Sequence, residues 1–316
     1  MDPTGQTVVR PRLVVSRCLK GEPCRYNGIP IPDPPFTEAI PWIEIVEVCP
    51  EMELELGVPR PEIKVILVGG QRYLVQPKTG RDLTQAMIQF ANRFLEKLEV
   101  VDGFILKARS PSCGVWDTKI MDGPLSNNVV ALGPGMFAEM VLSRFPDLPF
   151  VDEIKLRDPI SRWHFFSAVF ALAKLREVSA KPSIKRLQLF HAQHKYLFMG
   201  LDQEGLLMLG TLLANHDRRS ETEIVGQYVL TVRRLLKQLP RKAKLINAFM
   251  HVFGYVSDRI SAFERSDFLR RLDGFREGQL TIKELTLGLR VLVERCGIPY
   301  LKDQALLYPF PDALWG

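Results

Sequence analysis

The 316-residue sequence lacks any run of about 18 apolar residues, so no membrane-spanning helix is expected. Cysteine is scarce. Cys18, Cys24, Cys49, Cys113 and Cys296 form an odd, sparse set that excludes a disulfide framework. No C-x-x-C pair occurs, since Cys18 and Cys24 stand six residues apart, and this argues against a zinc knuckle. The first ten residues lack an apolar signal region and read as a disordered start, so a cytoplasmic location is expected. Internal repeats are absent. The first half also lacks any excess of positive charge: residues 1–150 hold 16 Lys+Arg and 18 Asp+Glu, a net −2.

The positive charge lies elsewhere. Residues 151–316 hold 26 Lys+Arg and 18 Asp+Glu, a net +8, which points to a polyanionic partner, nucleic acid first. A solvated helical surface accounts for the same charge equally well. With 46% hydrophobic and 25% charged residues the chain has an ordinary globular composition, long enough for two domains.

The chain is organised around Gly103–Gly114. Phe104-Ile105-Leu106 reads as a buried strand and runs into Ser110-Pro111-Ser112-Cys113-Gly114, where Pro111 forbids helix at Ser110. The layout occurs twice earlier: a strand at Arg12–Ser16 leads to Cys18, and one at Ile43–Val48 leads to Cys49. In an open parallel sheet, ligands bind at the carboxyl ends of the strands. If the three strands are neighbours, three sulfurs converge there.

The remainder divides by character. Ile29–Pro35, with four prolines, is irregular, and Phe36–Pro41 is a short helical connection. One helical turn follows Cys49. Ile63–Val68 and Arg72–Val75 flank Gly69-Gly70 as a hairpin. Thr84–Leu98 has a 3.6-residue apolar period and is a helix, Gly123–Gly135 a loop, and Met136–Phe145 a helix. From about Asp152 the pattern is helical: Arg162–Leu175, Ile184–Met199, Leu206–Ala214, Glu221–Gln238, Lys242–Phe263, Ser266–Gly274 and Leu285–Cys296. The expected class is α/β, with an N-terminal Rossmann-like parallel-sheet domain (1–155) and an all-α C-terminal helical domain (156–316).

Three cysteines from separated segments suit an iron–sulfur cluster better than a closed zinc site. A 4Fe-4S cluster held by three thiolates leaves one iron open as a Lewis acid. A buried structural role is the competing reading for each cysteine taken alone. Cys24 is either a fourth ligand or a bystander, and Cys296 reads as core. Ser110 is placed to position water, or else caps its own turn. Glu51 is a candidate acid/base, with Glu47 and Glu62 as rivals. His191 and His194 share a helix face but have no completing ligand and read as core or surface-polar. Arg218-Arg219, Arg233-Arg234, Lys237, Arg241-Lys242 and Lys244 form a basic series in one helical stretch. With Tyr228, Phe249 and Tyr255 interleaved, it has the makings of phosphate contacts and base stacking.

Ser16-Arg17-Cys18-Leu19-Lys20-Gly21-Glu22-Pro23-Cys24-Arg25-Tyr26-Asn27-Gly28, Cys49-Pro50-Glu51, Gly57-Val58-Pro59-Arg60-Pro61 and Lys107–Gly114 together resemble the bacterial thiouracil desulfidase family over residues 10–150. The resemblance implies a 4Fe-4S cluster with Cys18, Cys49 and Cys113 as ligands and Ser110 and Glu51 as catalytic residues. The second half, through Phe190–Lys195, Asn247–Tyr255 and Tyr300–Gln304, resembles a helical domain often fused to that desulfidase. The fused form is similar to the tRNA 4-thiouridine desulfidases, which implies a thiolated tRNA partner; no membrane partner is expected, and no obligate protein partner is evident in the sequence. The implied reaction is non-redox: the open iron takes the thiocarbonyl sulfur, water attacks C4, and uridine and sulfide result. Rival readings are a desulfidase of free thiobases, a non-enzymatic iron–sulfur RNA-binding redox regulator, and a zinc-bound structural module.

Overall fold

The computed structural model describes residues 9–31 and 36–316. The expected disordered start (1–10) and irregular proline segment (29–35) therefore lie partly outside the described residues. The chain divides into two compact units, Arg12–Arg157 and a second that includes Asp158–Gly316.

In chain order the first unit contains β1 (Arg12–Ser16), β2 (Glu44–Val48), α1 (Pro50–Glu53), β3 (Lys64–Val68), β4 (Gln71–Gln76), β5 (Arg81–Asp82), α2 (Thr84–Lys97), β6 (Gly103–Leu106), β7 (Thr118–Met121), β8 (Val129–Gly133), α3 (Met136–Arg144) and β9 (Phe150–Asp152). Four strands form a parallel sheet in the order β2-β1-β6-β9. Leu13, Val14 and Val15 of β1 and all four residues of β6 are buried, as central parallel strands covered on both faces require. The three cysteine-bearing strands are thus adjacent, with their carboxyl ends on one edge. Phe104 stacks on Phe150 across β6 and β9 (4.6 Å), and Phe90, Phe94 and Phe137 pack α2 against α3.

A second sheet, β5-β4-β3-β7-β8, carries the expected hairpin as β3 and β4 but extends beyond it. It corrects the reading of Gly123–Gly135 as loop. Val129–Gly133 is an edge strand paired to β7 alone, and its residues are mostly exposed. Without a buried alternating face it carries no periodic signal. β9, only three residues long, is too short for one.

The second unit contains α4 (Pro159–Ser179), α5 (Ile184–Leu201), α6 (Gln203–Ala214), α7 (Glu221–Leu236), α8 (Lys242–Gly254), α9 (Ala262–Glu277) and α10 (Ile282–Cys296). Asp158 caps α4 through Ser161 N, with Pro159 at the first helical position. α4 is buried on nearly every side, so it runs through the core of this unit. The expected helix Lys242–Phe263 is two: α8 ends at Gly254, and Ser261 opens α9 with a capping box to Glu264. Cys296 is half-buried at the end of α10 rather than in the core.

His194 is fully enclosed, stacked on Phe190 with its Nδ1 2.8 Å from the Phe190 carbonyl. Burial holds its imidazole far below the ordinary range, at about 4. Burial also lowers His164 and His191, the latter bonded to the Tyr228 hydroxyl. The folded unit therefore keeps His194 neutral while the unfolded chain protonates it near 6.5. Stability is fully present above that pH and falls as pH drops toward 4, by about 3 kcal/mol for His194. Urea melts of the protein across pH 7 to 4 are expected to show this loss, and a flat profile would contradict it.

Candidate functional site

Each strand end hands one sulfur to the same place. Cys18 lies in the 3-10 turn Arg17–Lys20 directly after β1, Cys49 precedes α1 directly after β2, and Cys113 closes the turn after β6. All three line one cavity of about 460 Å³, together with Cys24, Ser110 and Glu51. Four cysteines meet there, one more than the strand pattern announced. Cys24 arrives on the loop after Cys18, and its thiol lies beside those of Cys18 and Cys49.

The turn that presents Cys113 is built by backbone polar groups. Ser110 Oγ accepts from the N–H groups of Ser112 (3.2 Å) and Cys113 (3.0 Å), and its carbonyl accepts from Gly114 N–H and the Thr118 hydroxyl. The first turn of α3 grips the same segment: Met136 N–H donates to the Pro111 carbonyl, and Phe137 and Ala138 N–H to that of Ser112. Gly135 makes this approach feasible, because a Cβ there would sit 2.6 Å from the Ser112 carbonyl carbon and oxygen. Gly135→Ala is expected to cost about 1–3 kcal/mol. That lowers Tm by several degrees, and the variant should hold iron less well. An unchanged melt and iron content would contradict the tight docking.

Glu51 is fixed from two sides. Arg60, whose side chain is only 2% exposed, donates Nε (2.9 Å) and Nη2 (2.5 Å) to its Oε2, and Ser112 Oγ donates to its Oε1 (3.1 Å). The same guanidinium donates to the carbonyls of Gly57 (2.8 Å) and Cys24 (3.0 Å). Arg60 therefore joins the carboxylate, the α1 loop and the Cys24 loop in one knot. Sequence reasoning quoted Arg60 in a motif without giving it a role. It likewise quoted Ser16 without a role, whose hydroxyl accepts from Lys107 N–H (3.0 Å) and lies beside the Cys113 thiol, and it missed Glu153, which accepts from Ala108 N–H (2.8 Å) and Lys107 Nζ (2.5 Å). These partners are 45 or more residues apart in sequence, and no local pattern announces them. Of the rival carboxylates, Glu62 lines the cavity, while Glu47 is paired with Lys20.

The thiols are hard to ionise without a cation beside them. Contact with Cys18, helped by burial, pushes Cys24 up to about 11. Contact with Cys24 and burial push Cys49 up, and burial pushes Cys113 up, partly offset by the hydroxyls of Ser16 and Ser110. A bound metal centre reverses this preference, because it is the largest local positive charge and draws thiolates to it. Among the described residues no three Cys, His, Asp or Glu side chains are close enough to hold a single ion. A cubane cluster accepts sulfurs set wider apart, so the donor set, soft and gathered from three strand ends around a roomy cavity, fits the cluster better than one ion. The cavity is rimmed by cations: Arg17, Arg25, Arg60, Lys107 and Arg109 line it against Glu51 and Glu62. Arg60 and Lys107 are neutralised by Glu51 and Glu153, Arg17 faces Glu22, Glu47 and Glu53 at 3.6–3.9 Å, and Arg109, three-quarters exposed, reaches Asp117 only at 4.0 Å. Tyr26, 41% exposed, adds a ring to the lining.

In the helical unit the structure redistributes the basic series. It spans the turn after α6, then α7, the connection and α8, not one helix. Tyr228 and Phe249 are fully buried and cannot meet a base, while Tyr255 is 44% exposed. His191 and His194 make the contacts with Tyr228 and Phe190 described above.

Residues 13–153 match the family described as 2-thiouracil desulfurase, and residues 195–311 match a protein family of unknown function, DUF1722. Uncharacterized protein YbbK of Bacillus subtilis (strain 168) is 29% identical over 109 residues, 32% of this chain and 72% of its own length. The solved structure of the [4Fe-4S]-dependent thiouracil desulfidase TudS is 25% identical, covering 47% of this chain and 95% of that one, with a TM-score of 0.37. The chain is thus similar to the 2-thiouracil desulfurase family over residues 13–153 and to DUF1722 over residues 195–311.

Proposed function

We propose that the protein is a tRNA 4-thiouridine desulfidase that hydrolyses the carbon–sulfur bond of thiolated uridine without net redox change. The observation that carries this reading is the convergence of Cys18, Cys49 and Cys113 from three adjacent strand ends on one cavity with a cationic rim. Those three thiolates would hold a 4Fe-4S cluster. When bound, a cluster with three protein ligands supplies an open Lewis-acidic iron that polarises a carbon–sulfur bond. The protein's own groups do the rest. Glu51, locked by Arg60 and Ser112, stands ready to take a proton from water as its oxygen adds to C4. Ser110 spends its oxygen lone pairs on two backbone N–H groups and keeps its proton for the sulfur of Cys113 or for water. The water oxygen stays on the base and both its protons leave with sulfide, so atoms and electrons balance.

Two features support a nucleotide within RNA over a free thiobase. The rim holds Arg25 and the largely exposed Arg109, groups that suit phosphates flanking a nucleoside. The helical unit, Asp158–Gly316, has 24 Lys+Arg and 16 Asp+Glu. Anaerobic incubation of reconstituted protein with thiolated tRNA should abolish the thiouridine absorbance and release one sulfide per uridine formed. Turnover of 2-thiouracil with inert tRNA would assign the protein to free thiobases instead.

A further inference from the structure

Three phenols from distant stretches of the helical unit meet at its surface. Tyr196 stands on α5, Tyr255 follows the last residue of α8, and Tyr300 lies in the 3-10 turn Pro299–Leu301. Their ring centroids are 5.8–6.4 Å apart. Tyr196 is 2% exposed, stands edge-on to both other rings (76° and 77°), and donates its hydroxyl to that of Tyr255 (2.9 Å). Tyr255 and Tyr300 are 44% and 40% exposed and inclined to each other by 37°. Beneath them Gln304, itself buried, donates Nε2 to the Tyr300 and Ala192 carbonyls, and its Oε1 has no partner.

A packing role accounts for Tyr196 but not for two rings held half open. Burial and the Tyr255 hydroxyl raise the Tyr196 phenol, so it stays a neutral donor and brings no negative charge to the cluster. Cations stand around it. Lys195 Nζ is 5.7 Å from the Tyr196 ring, and exposed Lys302 follows Tyr300 by two residues. Open aromatic faces with a basic rim, on a unit with a net charge of +8, are what a stacked base with flanking phosphates requires. An acidic peptide would meet the charge but leave the rings without a use.

We propose that Tyr255 and Tyr300, floored by Tyr196, form a platform on which bases of a single-stranded stretch of RNA stack. The proposal rests on the reading that the substrate is an RNA, and it deepens that reading by naming where the helical unit grips it.

The test uses the full chain and unmodified tRNA, with fluorescence anisotropy read across a salt series. Tyr255→Ala and Tyr300→Ala should each weaken binding about 5- to 150-fold. The slope of log Kd against log salt should not change, because no phosphate contact is lost. Tyr255→Phe and Tyr300→Phe should bind nearly as wild type. Tyr255→Trp should also bind, with its added fluorescence quenched by RNA, which keeps the test decisive if an alanine variant misfolds. Alanine variants that bind like wild type, or an added indole signal in Tyr255→Trp that ignores RNA, overturn the platform alone. A wild-type protein that does not bind tRNA overturns the platform and the RNA reading together.

Discussion

Cys113→Ala is expected to leave the anaerobically reconstituted protein without measurable desulfidase activity and with sharply reduced iron. Cys113 is the sulfur that comes from β6, at the centre of the sheet, and the most constrained of the set. It is 5% exposed, its turn is fixed by Ser110, and the first turn of α3 grips the residues before it. Its loss is not expected to be made good by Cys24, which arrives on the loop after Cys18 and whose carbonyl is held there by Arg60. Replacing a buried thiol by a methyl removes little volume, so the variant should melt near the wild-type temperature. Full activity and iron content in Cys113→Ala would remove the cluster from the mechanism. Cys24→Ser is the informative contrast. If the three strand-end sulfurs suffice, it retains iron and turnover.

Arg60→Met is expected to destabilise the first unit by about 3–5 kcal/mol, the cost of stripping the partner from a buried ion pair. The substitution leaves Glu51, only 15% exposed, without its counter-charge, and leaves the carbonyls of Gly57 and Cys24 without their donor. Activity should fall with stability, since Glu51 and the Cys24 loop both lose their anchor. The physical cause can be isolated. Adding Glu51→Gln to Arg60→Met removes the uncompensated charge, so the double variant should unfold at higher denaturant than Arg60→Met alone. If the double variant is the less stable, desolvation of Glu51 is not the source of the loss.

What could be read in advance follows the range of the interactions involved. β1, β2 and β6 were legible because each is a short apolar run that ends at a polar turn, and the cysteines were legible because they stand at those ends. Adjacency of the strands was conditional in the sequence and is a fact of the sheet. The sequence left Cys24 as either a fourth ligand or a bystander, because its place beside the other thiols depends on the Arg60 guanidinium binding a carbonyl 36 residues away. β8 escaped notice because its side chains face outward on an edge. In the helical unit, periodicity found the helices but not which aromatics stay outside. Tyr228 and Tyr255 look alike in a basic sequence, and only packing sends one to the core and leaves the other at the surface. Gly254 and the Ser261–Glu264 capping box were readable stop and start signals within Lys242–Phe263, and apolar periodicity masked them.

The most direct test is a metal and sulfide count on protein reconstituted and kept without air. About four iron and four acid-labile sulfide per chain are expected, with a broad absorption near ~400 nm. Adding 2-thiouracil should perturb that band, as an iron open to substrate sulfur demands. A preparation that takes up zinc in place of iron, or an iron cluster whose spectrum ignores the thiocarbonyl compound, would contradict the cluster mechanism.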